Sequence, residues 1–295
     1  MRSIVVGVDG SASAERALEW AARAVGPDGT IHAVTAVSPV TELAIDAVLG
    51  DSVAYVHRLQ HELESVWLAP VRDLVGTVTA VADEGWAADA IVAEARRRDV
   101  DAIAVGAHVP ARLLPKTIGT TTRQLMKELP CPLLVIPHRW QHAPGDGDPV
   151  IVGVGHGDAT DEAVRWGAKF AAAHDVGLGL IRATGESPIF QVDGFLDVVS
   201  FYIDPAQRHV WTQEDLAQLA LAAQAATETP LDIATTAVPG RPATRLTEAG
   251  TNASLLVIGQ HRTPVTGTRH ATQPLRYALA HARCPIAVVP VQLER

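Results

Sequence analysis

Short β-branched runs alternate along this chain with stretches whose apolar residues recur every three or four positions. Ile4-Val5-Val6-Gly7-Val8 comes first, and Ala14, Ala17, Leu18 and Ala21 follow it at helical spacing. In the first half the pattern predicts strands over 3–8, 30–37, 77–82, 101–106 and 132–136, and helices over 12–25, 52–75, 86–98 and 119–129. Ser11, just behind Asp9-Gly10, is placed to cap the first helix. Arg96-Arg97-Arg98 closes the third helix and reads as a solvated set of cations at the negative end of its dipole. Strands that alternate with helices need crossover connections, which gives an α/β fold: a parallel sheet with helices on both faces. The ligand crevice of such a sheet lies beyond the carboxyl ends of its strands, where the chain order reverses. That rule points at Asp9, past the first strand, and at Gly106, which ends the fourth.

The same landmarks then occur a second time. Val150-Ile151-Val152-Gly153-Val154 and Trp166 repeat the first strand and Trp20 at an offset of 146 residues. Gly106 returns as Gly259, and Cys131-Pro132 returns as Cys284-Pro285, both at an offset of 153. A net insertion of seven residues therefore sits inside the second copy, in a loop-like connection over 183–211 that holds Phe190, Phe195, Phe201 and Tyr202. Strands of the second copy are expected over 149–154, 176–182, 231–237, 254–258 and 285–290. Residues 137–149 are too rich in Pro, Gly and Asp to sustain either element and read as a linker, which gives domains at 1–138 and 149–295.

Composition narrows the function. Of the 295 residues 47% are hydrophobic and 19% charged, and the net charge of −9 argues against a nucleic-acid backbone or an anionic membrane surface as the main partner. No stretch approaches the roughly 20 apolar residues of a membrane helix. The first residues run straight into a strand and carry no signal pattern, so the location expected is the cytoplasm. Cys131 and Cys284 form no zinc or redox motif and read as buried thiols. His57 and His61 stand one helical turn apart, but no third ligand is identifiable, so no metal site is assigned. There is no nucleophile elbow, no phosphate loop with its lysine, and no candidate general base, so no catalytic residue is assigned either.

Candidate chemistry gathers after Gly106. The chain passes His108, Val109, Pro110, Arg112 and Lys116 and reaches Gly119-Thr120-Thr121-Thr122 at the start of a helix. Glycine there lets backbone approach a ligand closely, the first-turn amides are free to donate, and the hydroxyls can meet phosphate oxygens. Equally, Thr120 or Thr121 simply caps the helix. Asp9 has the same two readings, ligand contact or local backbone satisfaction.

This order of landmarks resembles the universal stress protein family, in its tandem-domain form, over nearly the whole chain. The nucleotide-binding branch of that family carries Gly, two residues, Gly, nine residues, then Gly and Ser or Thr. Here Gly106, Gly119 and Thr120 stand at that spacing, with Val109 at the second glycine. The resemblance implies two tandem Rossmann-like domains of the adenine nucleotide alpha hydrolase type, each a five-stranded parallel sheet. It implies ATP as ligand, with Mg2+ as a possible companion. Val8 and Asp9 would lie on the nucleoside side, Ala36 would offer its backbone to adenine with Val105 beside it, and Gly106, Val109, Gly119, Thr120, Thr121 and Thr122 would serve the phosphates. A β-branched residue at 109 followed by Pro110 would shift the loop or narrow the pocket.

The second copy departs further: Gly155 replaces Asp9, Arg262 stands at the second glycine, and Thr272-Gln273 replaces Gly119-Thr120. Only the first copy is expected to bind. Two functions are in play: an ATP-responsive stress regulator, slow at most as an ATPase, and a nucleotide-free scaffold acting through dimerisation. Leu133-Leu134-Val135-Ile136 and Ile286-Ala287-Val288-Val289 are the apolar edge strands through which the copies would pair, before two chains pair as a homodimer.

Overall fold

A computed structural model describes residues 1–49, 51–107, 118–138, 140, 142, 146–155, 157–184, 205–261 and 271–291. The first repeat supplies strands β1 (Ser3–Gly7), β2 (Thr30–Val37), β3 (Thr77–Glu84), β4 (Ala102–Ala107) and β5 (Leu133–Pro137). Its helices are α1 (Ala12–Val25), α2 (Pro39–Leu49), α3 (Ser52–Glu62), α4 (Ala87–Arg98) and α5 (Thr120–Leu125). The second supplies β6 (Val150–Gly153), α6 (Asp158–Ala173), β7 (Leu178–Thr184), α7 (Pro205–Ala225), β8 (Ile233–Pro239), α8 (Pro242–Ala249), β9 (Leu255–Gln260), α9 (Gln273–His281) and β10 (Ile286–Pro290).

All ten strands join in one sheet, in the order β3-β2-β1-β4-β5-β10-β9-β6-β7-β8. Pairing is parallel within each repeat and antiparallel at the junction, where Leu133, Leu134 and Val135 face Val288, Ala287 and Ile286. Each junction strand would otherwise be an apolar edge, and their pairing satisfies both. The outer edge at β3 is covered locally: the Gln60 side chain on α3 donates to the Ala80 carbonyl at 3.1 Å and accepts from the Ala82 amide at 2.6 Å, pairing with the edge as a strand would.

Alternation along each strand sorts the core onto two faces. Ile4, Val6, Leu18, Trp20, Phe170 and Leu180 belong to one cluster, Val5, Val34, Ile91, Leu125, Leu256 and Leu275 to the other, and both clusters cross from one repeat into the other. Trp20 of α1 stacks on Phe170 of α6 with centroids 6.0 Å apart, and Trp166 stacks on the same ring at 5.3 Å. The two tryptophans that mark the repeats therefore meet around one phenylalanine.

Several local expectations are corrected. The single helix expected over 52–75 stops at Glu62, passes through a π-helical turn over Leu63–Trp67 and ends in a short 3-10 turn at Ala69–Val71, where Pro70 has no amide to continue the ladder. Helix α2 lies where none was expected. The connection expected to be loop-like through 211 is helical from Pro205, while Phe190, Phe195, Phe201 and Tyr202 lie outside the described residues. The arginine triple is more than a solvated end: Arg97 and Arg98 pair with the buried Glu94 carboxylate at 2.6 and 3.1 Å, and hold it below the usual glutamate range against the opposing effect of burial. No described helix is long and apolar enough to cross a membrane.

Candidate nucleotide site and its counterpart

In the first repeat β1 lies between β2 and β4, so the chain order reverses beside β1. Register brings the named residues to one end of the sheet. Gly7 pairs with Val34, and Val6 pairs with Ala104, which carries Val8 and Asp9 past the tip of β1 between Ala36 on one side and Val105-Gly106 on the other. Val8 and Val105 are buried, Ala36 and Gly106 are half-buried, and Asp9 is exposed. Ala36 pairs with Asp83 and Val37 with Glu84, so this end of the crevice is acidic.

The turn from β1 into α1 explains the posture of Asp9. Its Oδ1 accepts from the Ser11 amide at 3.0 Å and from the Ser11 hydroxyl at 2.5 Å, while the Ser11 oxygen accepts from the Ala14 amide at 3.2 Å. Asp9 and Ser11 thus close the helix start together, and the local reading of Asp9 holds for that oxygen. Gly10 between them has φ +73°, and a Cβ there would stand 2.8 Å from the Trp67 ring. Trp67 walls this turn, a neighbour hidden from the sequence because it depends on the π-helical turn.

Gly106 is held for packing. A Cβ on it would lie 2.3 Å from the Ser13 carbonyl, because the first turn of α1 rests on the end of β4. Gly119 differs: it is the N-cap of α5, with φ −54° and ψ 150°, a conformation open to any residue. The cap is therefore this glycine and neither Thr120 nor Thr121. Its carbonyl accepts from the Arg123 amide at 3.0 Å, and as glycine it offers the first-turn amides no capping side chain of its own. Thr120 is exposed, Thr121 is half-buried and Thr122 is buried. Val109, with Pro110, Arg112 and Lys116, lies outside the described residues.

The second repeat builds the same crevice with different charge. Gly153 pairs with Ile181 as Gly7 pairs with Val34, which sets Arg182 where the first repeat has Thr35. Arg182 is 8% exposed; its guanidinium donates to the Gly155 carbonyl at 2.8 Å and to Asp215 of α7 at 2.7 Å, and its Nε is buried without a partner among the described residues. A cation therefore lies under the strand tip that carries Gly155 in place of Asp9. Gly157, also with positive φ, replaces Ser11 as N-cap and brings no capping side chain to α6. Arg262, Gly267 and Thr268 lie outside the described residues.

Other titratable groups stand apart from both crevices. Burial pushes the Cys131 and Cys284 thiols up to about 12. His57 and His61 are exposed on α3, and among the described residues no group of three or more His, Cys, Asp or Glu side chains could hold a metal ion.

The family model for the universal stress protein family matches this chain twice, over residues 1–137 and 148–290. No curated protein matches it significantly. Among solved structures, a universal stress protein from Archaeoglobus fulgidus DSM 4304 is similar over 98% of this chain and 98% of its own, at 13% identity and a TM-score of 0.66. A putative universal stress protein from Pseudomonas aeruginosa UCBPP-PA14 is similar over 98% of this chain and 93% of its own, at 16% identity and a TM-score of 0.59. At these identities the likeness to the solved structures is one of fold.

Proposed function

This chain belongs to the universal stress protein family, and we propose that its first repeat binds ATP, with Mg2+ as counter-ion, as a cytoplasmic nucleotide-responsive regulator of the stress response. The observation that carries the reading is Gly119. Its backbone conformation does not call for glycine, yet the cap position of the helix is held by glycine, which offers no capping side chain, one residue before an exposed threonine. Close approach of an anion to the first-turn amides gives glycine a purpose there.

Charge sets the direction of the bound nucleotide. Asp9, Asp83 and Glu84 stand at the tips of β1 and β3, where they repel a triphosphate and suit the nucleoside, with Val8 on that side and the Ala36 backbone and Val105 beside the adenine. The phosphates then lie toward Gly106, Val109, Gly119, Thr120, Thr121 and Thr122. Binding is assigned to residues 1–138. Residues 149–295 form the partner repeat, in which the Arg182 guanidinium fills the space beneath Gly155. Two such chains pair as a homodimer.

A second reading, a nucleotide-free scaffold, is favoured by one observation: Asp9 Oδ1 is already taken by Ser11. Denaturing the purified full chain and reading the ultraviolet spectrum of the released small molecules separates the two. An adenine spectrum from the wild type that is missing from Gly119→Glu supports the nucleotide reading. No adenine, and no binding of added ATP, selects the scaffold.

A further inference from the structure

Helix α5 has six residues, too few to be stable on its own hydrogen bonds, so tertiary contacts must fix its direction. One of them comes from the other repeat. Gln260, the last residue of β9 and fully buried, donates from Nε2 to the carbonyl of Met126 at 2.7 Å, and Met126 is the C-cap of α5. A carbonyl partner requires the amide nitrogen at that position, which fixes the orientation of the side chain. Its Oε1 is buried with no partner among the described residues, an arrangement that costs free energy and that an apolar residue would avoid. The matching residue of the first repeat, next to Gly106 as Gln260 is next to Gly259, is Ala107, whose side chain has no donor. The contact therefore runs in one direction only.

Topology gives this contact its meaning. Because β5 and β10 are antiparallel, the carboxyl ends of β4 and β9 lie at opposite ends of the sheet. Helix α5 starts on the crevice side of β4, and its last turn reaches the tip of β9. The entrance of one short helix thus faces the first crevice, while its exit is held by a residue at the tip of the second.

We infer that Gln260 is a positioning residue for the first repeat's nucleotide site. The second repeat grips α5 by its last carbonyl and so sets the aim of Gly119, Thr120 and Thr121 at the phosphates. This rests on the ATP reading above. Linkage makes the effect reciprocal: phosphate held at the entrance tightens the grip at the exit, so occupancy of the first crevice is felt at the tip of β9.

The test uses the full chain, with Gln260→Met as a variant of similar shape that lacks the donor. Amide hydrogen exchange of α5 is followed without nucleotide, and ATP and adenosine are titrated by calorimetry. The expected result is faster exchange in α5, a melting temperature little changed because the orphaned Oε1 is lost along with the bond, and ATP affinity lower by about fivefold, equivalent to about 1 kcal/mol. Adenosine affinity stays unchanged, since adenosine carries no phosphate for α5 to hold. A purely structural role would weaken both ligands equally, and that outcome, or unaltered ATP affinity, overturns the inference. If the wild type binds no ATP, the functional reading fails and so does the site assignment of Gln260. Unchanged exchange in α5 then removes the grip itself.

Discussion

The carbonyl oxygen of Ser13 lies 2.3 Å from where a Cβ on Gly106 would stand, so the first turn of α1 and the end of β4 touch through backbone alone. The second repeat repeats the contact, with Gly259 against Ala159 at 2.1 Å, although it lacks Asp9 and the Gly-Thr pair. The first glycine of the nucleotide motif is thus demanded by the fold in both copies, while Gly119 is not demanded by its backbone conformation.

Gly106→Ala and Gly259→Ala are expected to destabilise the chain alike, by at least the about 1–3 kcal/mol typical of overpacking, because backbone on both sides has no room to yield. Urea denaturation measures this. A neutral Gly106→Ala would contradict the packing account.

Asp215→Ala is expected to destabilise more than Arg182→Met. The first leaves a buried guanidinium without its carboxylate, whereas the second removes the buried charge and keeps most of the apolar stem, leaving an Asp215 that is already 55% exposed. Chemical denaturation of the two variants gives the order directly.

His174 sits between the repeats, its ring nitrogens 2.8 Å from the Phe170 carbonyl and 3.2 Å from the Ala24 carbonyl. Burial lowers its pKa from the ordinary 6.5 against the effect of both carbonyls, and burial likewise lowers that of His32. A folded-state pKa below the unfolded one means that the unfolded chain binds more protons. The stability these residues contribute is complete above the unfolded pKa and is lost as pH falls through the folded values. Denaturation midpoints should therefore drop on acidification below 6.5, and His174→Gln should flatten that slope.

Cys131 and Cys284, with thiols pushed up to about 12, should resist alkylation in the native chain at mildly alkaline pH and react fully once it is unfolded. Mass spectrometry of iodoacetamide-treated protein checks this.

The fold was legible where one physical signal dominated. The β-branched runs of β1, β2, β4 and β5 are bounded by Gly, Pro and capping residues, and the duplicate landmarks revealed two repeats. Helix α2 escaped because Val40 and Leu43, 68% and 73% exposed, interrupt its polar face. Its start is capped all the same, by the Ser38 hydroxyl, which accepts from the Thr41 amide at 3.3 Å. The Arg182 plug and the Gln260 contact could not be read at all: each joins residues far apart in sequence, through side chains whose direction only the packed sheet defines. Sheet topology pointed at Asp9 and Gly106, but the hydrogen bonds of Asp9 with Ser11 and the close approach of Gly106 to Ser13 needed coordinates.

Calorimetric titration of the full chain with Mg-ATP tests the central claim most directly. One site per chain, abolished in a Gly119→Glu variant whose circular dichroism is unaltered, is the expected result. Two equivalent sites, no binding, or full affinity in the Gly119→Glu variant would contradict it.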